Sequence, residues 1–262
     1  MELEIVIGLL LAVLVGLSLG LLGGGGSILT VPILTYVVGM PPREAIAASL
    51  FIVGVTSAVS VLRHARAARV RWATGAIFGA AGMLGAFAGG FLGGYVPGTV
   101  LMVLFAVMMV ATAVAMVRGR RRAAGGDEQV TRTLPLARVI GDGFAVGVAT
   151  GLVGAGGGFL VVPALNLLGG MPMAIAVGTS LLVIAMKSFA GLAGYLLSVQ
   201  LQWPIVLAFT ALAIAGSYVG AALAGRIPET TLRKGFGYFV LVMGVVVLVQ
   251  EAPDVVALLT GG

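Results

Sequence analysis

Cysteine is absent from all 262 residues, and histidine occurs once. These absences exclude disulfides, thiolate metal sites, cysteine nucleophiles and multi-histidine metal clusters. Charge is scarce as well: Asp, Glu, Lys and Arg make up 9% of the chain, against about a quarter in ordinary soluble domains. What fills the chain instead is apolar, 60% of residues, together with 42 glycines that follow no G-x-y period. That composition excludes a soluble enzyme domain, collagen and a flexible linker, and points to membrane helices packed through small residues. A net charge of +6 and a pI near 10.3 suit nucleic acid, but the positions of the charges assign them to a membrane instead.

Between Ile5 and Pro42, between Trp72 and Val117, and between Gly143 and Gly225, the one charged residue is Lys187. The polar gaps leave apolar stretches near 5–22, 27–39, 45–62, 73–95, 99–117, 139–153, 158–169, 173–197, 203–225 and 230–250. Crossing ~30 Å of hydrocarbon takes ~20 helical residues. The stretches at 27–39 and 158–169 are too short for that, and suit half-helices or re-entrant limbs buried among other helices.

Basic residues in short loops set orientation. Arg63, Arg66, Arg69 and Arg71 share one gap; Arg118, Arg120, Arg121, Arg122, Arg132 and Arg138 share the central loop; Arg226, Arg233 and Lys234 share a third. These loops are expected in the cytoplasm. The other gaps carry little positive charge, and both ends are acidic (Glu2, Glu4; Glu251, Asp254), which places both termini outside. The first residues, MELE, lack the basic n-region of a signal peptide, so the first apolar stretch is expected to remain in the mature protein.

The chain repeats itself. GLLGGGGSILTVPIL from Gly20 to Leu34 matches GLVGAGGGFLVVPAL from Gly151 to Leu165, an offset of 131 residues. In the same register Met40-Pro41 falls on Met171-Pro172, Ser49-Leu50 on Ser180-Leu181, Ser57 on Ser188, Trp72 on Trp203 and Pro97 on Pro228. The four-arginine gap of the first copy aligns with the uncharged segment 194–202 of the second, so equivalent loops are expected on opposite faces. The expected fold is an all-α polytopic integral membrane protein of two inverted-topology repeats, each a glycine-broken, re-entrant-type hairpin plus three transmembrane helices. Repeat 1 is 1–117, a cytoplasmic linker is 118–138, and repeat 2 is 139–262. Secondary transporters use this architecture, with the substrate near the midplane between the repeats.

Each repeat opens on a glycine cluster, Gly23 to Gly26 and Gly154 to Gly158 (with Ala155), followed by Pro32 and Pro163. A helix restarting after such a break offers free N–H groups and a positive dipole end to an anion; the bland alternative is that glycines only permit tight crossing. No Gly-Lys-Ser/Thr follows, so a nucleotide phosphate loop is not expected. Lys187, inside a span, costs at least ~2.5–3.5 kcal/mol there and is a functional candidate by default. It could meet a transported anion, pair with Asp142, snorkel, or lie deprotonated. Its repeat mate is Thr56, flanked by Ser57 as Lys187 is by Ser188. The candidate substrate-binding set is therefore Lys187, Ser188, Thr56, Ser57, Gly24, Gly25, Gly26, Ser27, Gly156, Gly157, Gly158, Asn166, Thr35, Ser49 and Ser180, since hydroxyls and N–H groups suit oxyanions. Ser49 and Ser180 also compete as helix back-bonders. His64, among arginines at a span end, reads as an interfacial residue in preference to a gate or a proton-coupling group, and Trp72 and Trp203 as interfacial anchors.

With the duplicated G-x-x-G-x-G-G-x-x-x-x-x-P signature at Gly20–Pro32 and Gly151–Pro163, the two Ser-Leu pairs and the two tryptophans, the chain resembles the TauE/SafE family of membrane permeases, proposed sulfite and organosulfonate exporters. The resemblance covers nearly the whole chain and implies a prokaryotic inner-membrane carrier of small sulfur-containing anions. Expected partners are the small-molecule anion, the lipid bilayer, a coupling proton or sodium ion, and a second copy of the chain as a homodimer. No nucleic acid, cofactor, metal or catalytic residue is expected, and the spans hold no paired Asp and no Ser-His arrangement. An anion channel on the same fold, and an assembly partner without transport activity, remain as alternative functions.

Overall fold

The structure, a computed structural model, describes residues 2–22, 26–118, 136–154, 161, 165, 171, 173–223 and 229–260. Among these every regular element is helical: α1 (Glu2–Leu22), α2 (Ser27–Pro32) continued by a π turn (Ile33–Val37), α3 (Pro42–Arg66), α4 (Trp72–Gly93), α5 (Gly98–Arg118), α6 (Leu136–Val153), α7 (Met173–Tyr195), α8 (Trp203–Leu223) and α9 (Glu229–Thr260). Four of them, α3, α4, α7 and α8, are long and apolar enough to cross a membrane. Large apolar side chains on α1, α4, α5 and α9 point outward, Leu10, Leu84, Val107 and Val249 among them, as lipid-facing surfaces do.

Local chemistry explains where the helices begin and end. Proline starts α3 at Pro42, Glu44 sits in its first turn, and Arg63, His64 and Arg66 occupy its last, matching the helix dipole at both ends. Ala68 then turns into the left-handed region (φ 54°) and the Arg69 N–H bonds back to the His64 carbonyl at 3.0 Å. The segment 27–37 is the half-length limb that its sequence predicts, ~16 Å for eleven residues. Pro32 lacks an N–H, and just beyond it the ladder widens: the Val38 N–H reaches Ile33 O at 3.0 Å. The corresponding limb at 158–169 lies largely outside the described residues, as do 119–135 of the linker.

Helices α3, α4 and α5 start 131 residues before α7, α8 and α9, and contacts recur at the same offset. A Cβ on Gly16 or Gly20 of α1 would strike the carbonyl oxygen of Ala213 or Ser217 in α8, and one on Gly147 or Gly151 of α6 would strike that of Gly82 or Ala86 in α4. Residue numbers rise together along both crossings, so α1 runs parallel to α8 and α6 parallel to α4. The centre differs. Gly54 of α3 faces the Ser188 Cβ (3.3 Å from a built Cβ), and Gly191 of α7 faces Leu50 (3.4 Å); numbers run oppositely, so α3 and α7 are antiparallel.

Two differences from the sequence reading stand out. The last helix runs past the apolar stretch that ends near 250 and continues to Thr260, and Glu251 of the acidic end is buried on it, accepting a hydrogen bond from the Tyr36 hydroxyl at 2.8 Å. His64, expected at an interface, is only 5% exposed. The returning loop covers it, and Gly178 of α7 packs against the His64 Cβ and the Arg69 carbonyl.

Candidate functional site

The antiparallel crossing of α3 and α7 brings the central candidates to one depth. Gly54 and Ser188 meet there, and Thr56 and Ser57 follow within a turn of α3. Lys187 precedes Ser188, and its stem lies along Gly82 of α4: a Cβ on that glycine would come within 2.7 Å of the lysine Cδ and 3.2 Å of Cε. Glycine at 82 is what leaves room for the lysine.

Lys187 is 1% exposed, and Thr56, Ser57 and Ser188 are fully buried. Among the described residues none of the four has a hydrogen-bond partner for Nζ, Oγ1 or Oγ. The lysine therefore does not snorkel to the surface. Asp142 belongs to α6, and its side chain lies outside the described ones. Most buried polar groups in proteins are paired, and an unpaired one costs about 1–3 kcal/mol, more when charged. Three unpaired hydroxyls and one ammonium at one level of the fold make an arrangement that a small anion would complete, with charge from the lysine and donors from the hydroxyls.

The remaining candidates divide. Thr35, on the π turn, has a buried Oγ1 without a partner. Ser49 reaches across to the second glycine break, donating to the Gly154 carbonyl at 3.0 Å, and Gly154 itself takes a left-handed φ of 72° against Ile46. Ser180 bonds its own helix at Val177 O, 2.8 Å. Gly26 packs onto the backbone of α1 at Val15 and Leu19, which is the tight-crossing role. Ser27 is fully buried. Gly24, Gly25, Gly156, Gly157, Gly158 and Asn166 lie outside the described residues. Trp72 and Trp203 are half-exposed at helix starts as expected of anchors, Trp203 stacking edge-on against Phe51 at 5.3 Å. One group escapes the sequence pattern: Thr30, fully buried on α2, whose Oγ1 has no partner among the described residues; His64, expected at an interface, is buried with neither ring nitrogen partnered among them. The signal for Thr30 was its place two residues before Pro32 in the repeat motif.

Because Gly82 packs against the Lys187 stem, Gly82→Ala is expected to push the lysine head aside and lower transport about tenfold with the lysine still present. Initial rates in proteoliposomes at matched protein content test this.

The chain matches the family described as Sulfite exporter TauE/SafE over residues 8–247. A "Probable membrane transporter protein" of Xylella fastidiosa is 35% identical over 93% of this chain and 95% of its own. One of the same name from Haemophilus influenzae is 29% identical over 92% and 97%, and one from Methanocaldococcus jannaschii is 30% identical over 75% of each chain. No solved structure matches. With the family spanning nearly all of its length and its buried helices built for a bilayer, the chain belongs to the TauE/SafE sulfite exporter family of membrane transporters.

Proposed function

We propose that the chain is a secondary transporter of small sulfur-containing oxyanions such as sulfite or organosulfonates, working by alternating access between two inverted repeats. One observation carries this reading: a buried lysine, with no partner among the described residues, at the same crossing of α3 and α7 that buries the unpaired hydroxyls of Thr56, Ser57 and Ser188. The substrate supplies the missing negative charge, and in a dry site it is held by differential binding with no covalent step.

The repeats are 1–117 and 139–262, joined by the linker 118–138. Their inverted relation is supported by the antiparallel crossing of the repeat mates α3 and α7, because a two-fold axis in the membrane plane reverses a helix and an axis along the normal does not. The arginine-rich loops face the cytoplasm across a prokaryotic inner membrane, and both termini lie outside, as the positive-inside bias supports. Access alternates at the repeat-related contacts α3–α8 and α4–α7. At the arginine-rich end α3 is strapped to α8: Arg63 donates to the Tyr218 carbonyl at 2.9 Å and Ser60 Oγ lies 3.3 Å from Ser217 Oγ. At the other end Arg43 donates to the Val96 carbonyl at 2.8 Å.

Reconstituted protein should take up labelled sulfite or sulfoacetate saturably, faster when the vesicles are preloaded with the unlabelled anion. Ohmic, non-saturating currents would replace the carrier with a channel. Topology has its own check, made simple by the absence of native cysteine. Cysteines at Ala68 and Ser198, in repeat-equivalent loops, should react with an impermeant maleimide from opposite sides of inside-out vesicles; labelling from one side refutes inversion.

A further inference from the structure

A line of polar groups runs from the lysine level to the arginine-rich end of α3. Thr56, Ser60 and His64 follow one another at one-turn spacing on one helix face. All three are buried, the last two at 5% exposure. Ser60 donates to the Thr56 carbonyl at 2.8 Å and touches Ser217. At the end of the line stands an imidazole whose Nδ1 and Nε2 have no partner among the described residues.

The groups around this imidazole are one-sided. Arg63 and Arg66 share its helix, and Arg69 and Arg71 lie in the loop that folds back over it. From α7 it meets Gly178, with Thr179 bonded to the Arg71 N–H at 3.0 Å, and Lys187 farther along the same helix. Helix α8 reaches this end of α3 through Ser217, beside Ser60, and Tyr218, whose carbonyl accepts from Arg63. The sequence places no acid on α4, α7 or α8, and the single acid of α3, Glu44, is at its far end. The arginines keep their protons under all cellular conditions and cannot relay one. An imidazole can, offering one N–H and one lone pair and titrating in the cellular range.

We propose that His64 is the proton-accepting group of a coupled anion–proton path along this face of α3, taking up a proton as the anion moves between Lys187 and the arginine-rich mouth. The inference rests on the transport reading above. Among the described residues the charged groups around the imidazole are all basic, and a transported anion would bring negative charge to it, so each of anion and proton makes the other's arrival less costly, a reciprocal coupling. The step is a proton transfer alone: an N–H bond forms at a ring nitrogen as an O–H bond of a water-borne proton breaks. It reverses on release, and no electrons change hands.

The test compares wild type with His64→Gln, which keeps a donor and an acceptor but cannot hold the extra proton. In proteoliposomes at equal pH on both sides, both should exchange sulfite. Under an imposed pH gradient the wild type should accelerate several-fold and the variant should not; sulfite's own protonation is common to the two and cancels. A variant that responds to the gradient like the wild type, or a wild type driven by sodium alone, overturns the inference. Wild type that moves neither sulfite nor sulfoacetate overturns the transport reading itself. Should the glutamine variant not fold, the wild type still decides the matter, because His64 is the single histidine of the chain. Selective ¹⁵N-histidine labelling then gives one imidazole signal. Sulfite added at fixed pH should change its protonation, and an unchanged signal overturns the inference.

Discussion

Lys187→Ala is expected to abolish anion counterflow, a fall of roughly a hundredfold or more in initial rate, because it removes the single cation in a site whose other donors are neutral hydroxyls. The same change should not weaken the fold. A buried ammonium with no partner among the described residues is a standing cost, and replacing it with Met, of similar length, should stabilise the protein by roughly 2–3 kcal/mol; Ala should gain less because it leaves a cavity. Arginine is no substitute, since its planar head is broader and Gly82 already touches the lysine stem. The decisive measurement pairs counterflow with melting in detergent. A Lys187→Met protein that is more stable and inactive fits a substrate site, and one that transports normally removes Lys187 from the mechanism. Sulfite should raise the melting temperature of wild type but not of Lys187→Ala, since stabilisation follows affinity.

The second large effect concerns the fold. Gly16→Val and Gly147→Val place side-chain atoms where α1 meets the Ala213 carbonyl and α6 meets the Gly82 carbonyl. The obstacle in each case is backbone in mid-helix, which yields far less readily than a side chain, so the loss should be at or above the ~1–3 kcal/mol of ordinary overpacking. The two positions are repeat mates meeting repeat-mate partners, so their penalties should be alike. Gly141→Val and Gly235→Val serve as controls, since a Cβ at either meets nothing within 4 Å. Size-exclusion profiles and melting temperatures across the four variants are the readout; equal behaviour of all four would contradict the crossing geometry.

Much of this was legible in the residues. Charge-free stretches between basic gaps gave the spans because a charge in hydrocarbon is expensive, and the constant 131-residue register carried over to helix starts such as Trp72 and Trp203. Lys187 was legible for the same reason: a charge out of place has few explanations. Other features depend on contacts that no local pattern records. His64 looks interfacial beside its arginines, yet a left-handed turn at Ala68 folds the loop over it. Glu251 reads as the start of a polar tail until Tyr36, 215 positions earlier, supplies its hydrogen bond. The roles of Ser49 and Gly26 were open in sequence and are structural where they can be seen, one tying α3 to the second glycine break and the other closing the first hairpin.

The crossed pairing of helices also sets an order of assembly. Helix α4 meets its partner α6 soon after both emerge, since Gly85 and Phe144 are near in sequence, but the groove of α1 at Gly16 must wait for Ala213, 197 residues later. At ~5–20 residues per second of synthesis this is a delay of roughly 10–40 s. Helix α1 is thus seated late, and until α8 arrives its glycine face is open to lipid, to insertion factors or to another nascent copy. A ribosome stalled between α7 and α8 would leave a chain with its central site nearly formed and its first helix unclaimed, a natural substrate for membrane quality control.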